Sequence, residues 1–234
     1  MDLRLAQNDH EKNINIEEIS GIKLLQEIHN INAGIQVIML TATSRSIILE
    51  KLYEYKILGY VKKEHPDDKM LNTQDNINKL IGLVDTGLNK SYLKNIWKIQ
   101  QDILKLKIFN LNENISKQIE FEINNIFNIL DSNLDKKITF FVLAVYNIIE
   151  LIIRKYGYSH GKAYSSIIDI CQNKLNINNL DKILSEIICT RNYVIHVDDE
   201  IQFRCIDNTL TEVKQVNMIK WLETIFNILK KIDI

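Results

Sequence analysis

The sequence predicts a short α/β segment followed by an all-α helical bundle, so that the chain is mostly α overall. Up to about residue 66, helix-like and strand-like patterns alternate, which is typical of a parallel sheet with helices on its faces. From about residue 68 onward, the apolar residues recur at helical spacing. The 234 residues contain one proline and seven glycines, which favours long helices with few sharp turns.

Composition and charge are those of an ordinary globular protein, with 46% hydrophobic and 25% charged residues. The formal net charge of -1 gives no general basic field, so any binding of nucleic acid has to come from a local patch. The three cysteines include no C-x-x-C pair, which indicates free thiols in a reducing cytosol. Because neither a transmembrane span nor a signal peptide is visible, we expect a cytoplasmic protein without a membrane partner.

The first segment contains two helix patterns and two strand patterns. Residues 21–28 carry apolar side chains at helical spacing, and residues 35–40 form a compact, largely β-branched run that predicts a buried parallel strand. Ser44 is placed to cap a helix that continues to Tyr55. Residues 59–61 predict a second short strand, which completes the helix–strand–helix–strand order.

Polar side chains stand at the ends of the predicted strands. Asp2 lies at the end of a strand that begins at or before the first residue, Thr41 follows the strand at 35–40, and Lys63 follows the strand at 59–61. The carboxyl ends of neighbouring parallel strands meet at one edge of a sheet. We therefore expect these three side chains to converge on a ligand site.

Four stretches (D-L-R-L, S-G-I-K-L-L-Q-E-I, V-I-M-L-T-A and G-Y-V-K-K-E) follow one another with a spacing that resembles the second half of a receiver domain of two-component response regulators. The resemblance implies a partial, flavodoxin-like receiver fold. It implies Asp2 as the phosphoacceptor, Thr41 as the switch hydroxyl and Lys63 as the invariant lysine, with Lys62 as the alternative register. A sensor histidine kinase is the partner that such a domain implies.

The sequence departs from the receiver pattern at its front. A whole receiver has further βα units before this point, and they carry the acidic pair that holds Mg²⁺. We therefore expect either a truncated product or a degenerate, structural receiver, with little or no phosphorylation of Asp2. Mg²⁺ is expected at the receiver site only if the missing N-terminal half is present. We expect no other metal or cofactor.

The domain organisation follows from these patterns: a receiver-like segment at 1–69, a helical connector at 70–110 and a helical bundle at 111–234. Apolar residues at helical spacing recur along the connector on both sides of Gly87. This pattern is consistent with a connector that pairs with its twin in a dimer. It is equally consistent with a first helix of the C-terminal bundle.

Beyond Leu111 the apolar spacing predicts a bundle of about 120 residues. The run at 138–156 is apolar nearly all round, so we expect it to be the central helix. The other predicted helices are at 115–130, 163–171, 180–196 and 213–232.

Arg191 falls in the middle of the apolar stripe of the helix predicted at 180–196. An arginine there is costly unless it is paired or opens onto a cleft or a subunit interface. His196 lies about 140° round the same helix, whereas Asn192 and His196 share one face. The arginine and the histidine converge only if the helix frays, the arginine wraps round it, or a second subunit supplies its copy. The arrangement therefore favours a site completed in a homodimer.

Arginine and histidine together suit the cleavage of RNA. A histidine with a pKa near neutrality can take the proton of a 2′-hydroxyl or return one to the leaving group. The planar fork of an arginine can hold and neutralise phosphorane-like oxygens. This reaction needs no metal.

The run R-N-Y-V-I-H, late in a bundle of this size, resembles the R-x4-6-H motif of HEPN domains. Many HEPN domains are metal-independent endoribonucleases of toxin–antitoxin, phage-defence and RNA-processing systems, and they commonly dimerise so that two motifs line one cleft. The resemblance implies Arg191, Asn192 and His196 as catalytic residues. It implies Glu150, on the preceding long helix, as a supporting polar residue. The alternative for Glu150 is a solvated stripe with Asn147 and Arg154.

The leading hypothesis is a homodimeric, metal-independent endoribonuclease of HEPN type that acts on RNA, linked to a degenerate or truncated receiver, in stress response or phage defence. The alternative is a non-catalytic signalling or interaction module. In that case the helical bundle binds a protein or nucleotide partner and mediates dimerisation.

Overall fold

The computed structural model describes residues 1–2, 15, 18–42, 46–63, 73–110, 114–158, 162–194, 202–204 and 210–232. The chain forms two compact units, Met1–Lys94 and Asn95–Ile234. The described residues are mostly helical, which confirms the fold class in this coarse form. The predicted connector at 70–110 is divided between the two units.

The N-terminal unit has the predicted helix–strand–helix–strand order around a small parallel sheet. The two strands pair in parallel, with Ile38 opposite Gly59 and Thr41 opposite Lys62. A parallel bridge between Asp2 and Leu40 lies on the other side of the first strand. The elements are α1 (Ser20–Ile31), β1 (Ile38–Thr41), α2 (Ser46–Glu54), β2 (Gly59–Lys62) and α3 (Thr73–Asn89).

The core of this unit forms between α1, β1 and α2. Met39 of β1 and Ile22 of α1 are fully buried. Such side chains contribute roughly 1.5–3 kcal/mol each by leaving water. The buried members of the cluster are Ile19, Ile22, Leu25, Val37, Met39, Leu52 and Ile57.

The turn that follows α1 packs against the first residues of α4 (Leu93–Leu104). The buried Asn32 accepts a hydrogen bond from the Gly34 amide (2.9 Å) and donates one to the Lys94 carbonyl (3.0 Å). A Cβ at Gly34 would lie 2.4 Å from the Leu93 carbonyl oxygen. Only glycine therefore allows the two backbones to approach this closely.

The C-terminal unit contains the remaining helices and a short antiparallel hairpin that the sequence analysis did not predict. Each strand of the hairpin has three residues, too few for a period-2 pattern to be recognised. The elements after α4 are a 3-10 turn (Lys107–Asn110), α5 (Asn114–Asp131), α6 (Lys137–Lys155), α7 (Ala163–Asp169), a π-helical turn (Ile170–Lys174), α8 (Asp181–Val194), β3 (Gln202–Arg204), β4 (Leu210–Glu212) and α9 (Gln215–Ile232).

Helix α6 is central to this unit, as its all-round apolar pattern predicts. It contacts α5, α7, α8 and α9. The Phe141 ring stacks on the Trp221 ring of α9, with centroids 6.3 Å apart, and both side chains are fully buried. The buried residues of α6 are Phe141, Val142, Ala144, Val145, Tyr146, Ile148, Ile149, Leu151, Ile152 and Ile153.

Over the described ranges, no helix has both the length and the apolar character that crossing a membrane requires.

Candidate functional site

Arg191 lies half-buried near the end of α8, one turn beyond the buried Ile187 and Ile188. Its guanidinium carbon is 4.7 Å from the centroid of the Tyr146 ring on α6. A guanidinium over the face of an aromatic ring is attracted by the ring quadrupole, which offsets part of the cost of removing the charge from water. The arginine on the packing seam is therefore stabilised by a ring of the central helix.

Arg191 also lines an open cleft of about 470 Å³ between α6, the start of α7 and α8. The cleft combines two cationic side chains with two aromatic rings and an amide, a combination that suits an anionic ligand with a planar base. The polar and aromatic lining residues are Tyr146, Lys162, Tyr164, Ser165, Arg191 and Asn192.

The hydrogen bonds of Arg191 are incomplete within the described part of the chain. Its Nη1 donates to the Asn192 side-chain oxygen at 3.3 Å. Its Nε is buried and has no hydrogen-bond partner among the described residues. A buried donor without a partner costs roughly 1–3 kcal/mol.

Glu150 stands next to the same aromatic ring, one turn along α6. The Tyr146 hydroxyl donates a hydrogen bond to Glu150. The Glu150 carboxylate also pairs with Arg154 Nη2 at 3.6 Å. Tyr146 therefore links Glu150 to Arg191, as a supporting role for Glu150 requires. The ion pair with Arg154 equally fits the alternative, in which Glu150 belongs to a solvated stripe with Asn147 and Arg154.

The pKa of Tyr146 is raised above its ordinary value of 10.0. Burial is the main cause and the negative charge of Glu150 adds to it, while the positive charge of Arg191 acts in the opposite direction. At neutral pH the phenol is therefore protonated, and it acts as a donor toward Glu150.

Glu150 also lines a second groove, of about 370 Å³, between α5 and α6. Asn147 donates to Glu122 across this groove at 2.9 Å. The Phe121 side chain stands at its rim and is 66% exposed. The carboxylate thus lines this groove, whereas Tyr146, one turn earlier on α6, lines the cleft beside Arg191.

Asn192 is exposed and lines the cleft beside Arg191. His196 lies outside the residues that the structure describes. The convergence of His196 with Arg191 therefore stays a prediction, and so does its completion by a second subunit.

Sequence reasoning missed Tyr146. A signal was present, because Tyr146 and Glu150 are spaced i and i+4 on a helix that is otherwise almost entirely aliphatic. The approach of α8 to the same ring had no signal in the sequence, since it depends on how the two helices pack. Lys162 and Tyr164 were missed for the same reason.

At the sheet edge of the N-terminal unit, the structure brings Asp2 and Lys63 together in an ion pair. Asp2 is held in place because the Met1 carbonyl accepts from the Leu40 amide at 2.7 Å. Thr41 is 1% exposed, and its carbonyl accepts from the Lys63 amide at 2.8 Å. Thr41 thus ends β1, Lys63 directly follows β2 and Asp2 forms an isolated parallel bridge beside β1, while the receiver roles of the three residues stay predictions.

No group of three or more histidine, cysteine, aspartate or glutamate side chains within the described ranges is placed to hold a metal ion. Whether Mg²⁺ binds at the receiver site stays a prediction.

Comparisons of the chain with models of protein families, with curated proteins and with solved structures give no match. The receiver and HEPN resemblances rest on the sequence motifs quoted above.

Proposed function

We propose that the C-terminal unit is a metal-independent endoribonuclease of HEPN type, linked to a degenerate receiver-like unit and active as a homodimer. The observation that carries the proposal is the Arg191 guanidinium, which lies over the Tyr146 ring at the wall of an open cleft. Within the described part of the chain its buried Nε has no hydrogen-bond partner, which supports an anionic ligand in that cleft.

In this proposal Arg191 binds the oxygens of the scissile phosphate and neutralises the charge that develops on them. Asn192 holds one end of the guanidinium through its 3.3 Å hydrogen bond. The Tyr146 ring packs against the face of the guanidinium, and the hydrogen bond to Glu150 orients Tyr146. Lys162, at the cleft wall, contacts a neighbouring phosphate.

His196 acts as the general acid and base. The 2′-hydroxyl loses its proton to one imidazole and attacks the adjacent phosphorus. The bond from phosphorus to the 5′ oxygen breaks, and a protonated imidazole supplies the proton to that oxygen. The products are a 2′,3′-cyclic phosphate and a 5′-hydroxyl end. Detecting these two ends on the cleaved RNA therefore identifies the mechanism.

In this proposal the N-terminal unit brings the helical bundles of two subunits together. The Arg191–His196 motifs of both subunits then line one cleft. The biological setting that we propose is stress response or phage defence. The upstream partner that we propose for the receiver-like unit is a sensor histidine kinase.

The test is incubation of the purified protein with total RNA in EDTA. Cleavage with cyclic phosphate ends is expected for the wild type, and Arg191→Ala should lower the rate about 10²- to 10³-fold because it removes the main electrostatic contact. His196→Ala should lower the rate by a similar factor. Lys182→Ala, on an exposed position of α8 away from the cleft lining, is the matched control and should cleave normally. Absence of cleavage by the wild type at high enzyme concentration contradicts the proposal.

The second candidate is a non-catalytic module that binds a nucleotide or a protein partner. The cleft volume of about 470 Å³ favours it, since single small ligands occupy clefts of roughly 300–1,000 Å³. Titration calorimetry with nucleoside monophosphates distinguishes the two candidates. Binding that depends on Arg191, in a protein that never cleaves RNA, supports the second.

A further inference from the structure

Tyr164 provides the aromatic ring of the cleft that is open to a ligand. Two tyrosine rings line the cleft, those of Tyr146 and Tyr164. Tyr146 is 8% exposed, and the Arg191 guanidinium lies over its ring. Tyr164, on the first turn of α7, is 43% exposed. A planar group that enters the cleft therefore finds its stacking surface on Tyr164 and not on Tyr146.

The backbone that carries Tyr164 is held by hydrogen bonds and by packing. The Lys162 carbonyl accepts from the Ser166 amide at 3.0 Å and from the Ser165 hydroxyl at 3.1 Å. Ser166 and Ile167 are buried, and α7 packs against both α6 and α8. Side chains on packed helices are placed more precisely than side chains on loops. The ring is therefore presented at a defined position of the cleft wall.

The charge of the cleft selects the kind of planar ligand. Arg191 lines it from α8, and Lys162, two positions before Tyr164 in the chain, also lines it. The described lining residues include no aspartate or glutamate. A nucleotide has both features that this lining binds, because its phosphate is anionic and its base has a planar face.

The second groove of the bundle shows that an exposed ring alone does not make such a site. Phe121 stands at the rim of the groove between α5 and α6, which Lys117 and Arg154 also line. Two carboxylates, Glu122 and Glu150, line the same groove and oppose the binding of a phosphate there. The cleft beside Arg191 is therefore the better place for a nucleotide.

We propose that Tyr164 is the base-binding residue of the cleft and that the cleft prefers a purine. The base belongs to the nucleotide whose two flanking phosphates bind Arg191 and Lys162, and it stacks on the Tyr164 ring. A purine has the larger planar surface and so the stronger stacking contact. The inference rests on the proposed function, since it assigns the base subsite of the same cleft.

Stacking on Tyr164 also assists the proposed reaction. A base that lies on a protein ring is separated from its neighbours in the RNA strand, which frees the sugar–phosphate backbone to rotate. The 2′ oxygen can then approach the phosphorus in line with the departing 5′ oxygen, as the displacement requires. Tyr164 in this proposal acts on both the choice of nucleotide and the geometry of attack.

Binding is measured apart from cleavage with a short labelled RNA whose 2′-hydroxyls are methylated, because methylation blocks the attacking oxygen. Fluorescence anisotropy with the full chain in EDTA compares strands that carry adenine or cytosine at the centre. The wild type should bind the adenine strand at least about 3-fold more tightly. Tyr164→Leu should raise the dissociation constant about 5- to 100-fold and remove the preference, since it removes one base–aromatic stack.

Two further variants show whether the ring itself is responsible. Tyr164→Phe keeps the ring and should bind within about 2-fold of the wild type. Phe140→Leu is the matched control, because Phe140 on α6 is 44% exposed and is not among the residues that line the cleft. Its affinity should equal that of the wild type. Circular dichroism verifies that each variant folds.

Stacking is observed directly with 2-aminopurine in place of the central adenine, since the fluorescence of this base falls when it stacks on a ring. The signal should fall on saturation with the wild type and with Tyr164→Phe, and much less with Tyr164→Leu. An equal fall with Tyr164→Leu, or wild-type affinity of that variant, would overturn the proposal even in a chain that cleaves RNA. Equal affinity for the adenine and cytosine strands would overturn the purine preference.

The outcomes for the base site and for the proposed function are separable. A chain that binds the methylated strand through Tyr164 but never cleaves unmodified RNA would overturn the endoribonuclease and support the base site. A wild type that does not bind the strand at high protein concentration would overturn the base site.

Discussion

The guanidinium of Arg191 lies over the ring of Tyr146, with its central carbon 4.7 Å from the ring centroid. This contact joins α8 to the central helix α6 and explains how an arginine is accommodated on a packing seam. The hydroxyl of the same residue donates to Glu150, so one tyrosine connects a cation that lines the cleft to a carboxylate farther along α6.

The ring and the hydroxyl of Tyr146 make separable contributions. Tyr146→Phe keeps the ring under Arg191, so we expect cleavage to fall only a few-fold. Tyr146→Leu removes the ring, which contributes about 1–2 kcal/mol to holding the cation, so the rate should fall about tenfold. Steady-state kcat and KM on a short RNA, with thermal melts of both variants, make the comparison. Equal activity of the two variants would show that the ring does not position Arg191.

The charge of Glu150 contributes to the raised pKa of Tyr146. Glu150→Gln removes that charge, so the pKa of Tyr146 should move down toward its ordinary value while burial keeps it from returning fully. The pKa can be measured by NMR titration of labelled tyrosine rings. Tyr156, whose pKa is also raised by burial but has no glutamate among its causes, is the internal reference and should not move.

Alkaline pH should destabilise the C-terminal unit through Cys171. The thiol is 1% exposed, and burial raises its pKa from 9.0 to about 11. Between these two values the unfolded chain has already lost the proton that the folded chain keeps. The stability is therefore complete below pH 9 and declines through pH 11, by about 2–3 kcal/mol for this group. Urea unfolding at several pH values measures the decline, and Cys171→Ala should flatten it. An unchanged slope in that variant contradicts the assignment.

Gly34→Ala should destabilise the N-terminal unit. Its Cβ would lie 2.4 Å from the Leu93 carbonyl oxygen, which forces two backbone segments apart. We expect a loss of at least about 2 kcal/mol in the free energy of unfolding. Gly82→Ala is the control, since its open position should gain up to about 1 kcal/mol of helix propensity. Denaturant melts followed by circular dichroism compare them, and a neutral Gly34→Ala would contradict the close approach.

The ion pair between Asp2 and Lys63 should matter little for stability. The two side chains are 35% and 44% exposed, and pairs this exposed contribute about 0–1 kcal/mol. Lys63→Ala should therefore melt within a few degrees of the wild type. With a small-molecule phosphodonor we expect little or no phosphorylation of Asp2, measured by intact mass. Stoichiometric phosphorylation that disappears in Asp2→Asn would contradict the degenerate-receiver hypothesis.

Much of the secondary structure was predictable because it follows from local spacing. The central position of α6 and the parallel pairing of β1 with β2 follow from patterns within short windows of sequence. The sequence did not predict the break between α3 and α4 at residues 90–92, because the apolar residues continue at helical spacing past Gly87. The hairpin of β3 and β4 was also missed, since its strands are too short to carry a pattern.

What the sequence by itself determined is the order of the helices and strands, and the positions of Asp2, Thr41 and Lys63 at the ends of predicted strands. These features depend on the spacing of apolar residues along the chain, which can be read without knowing any tertiary contact. Only the tertiary structure decided that Arg191 meets Tyr146, and that Leu83 of α3 packs against Gly59 of β2 while Ile81 and Leu88 of the same helix stay exposed. Contacts between residues far apart in the chain depend on how helices cross, and no local pattern encodes the crossing.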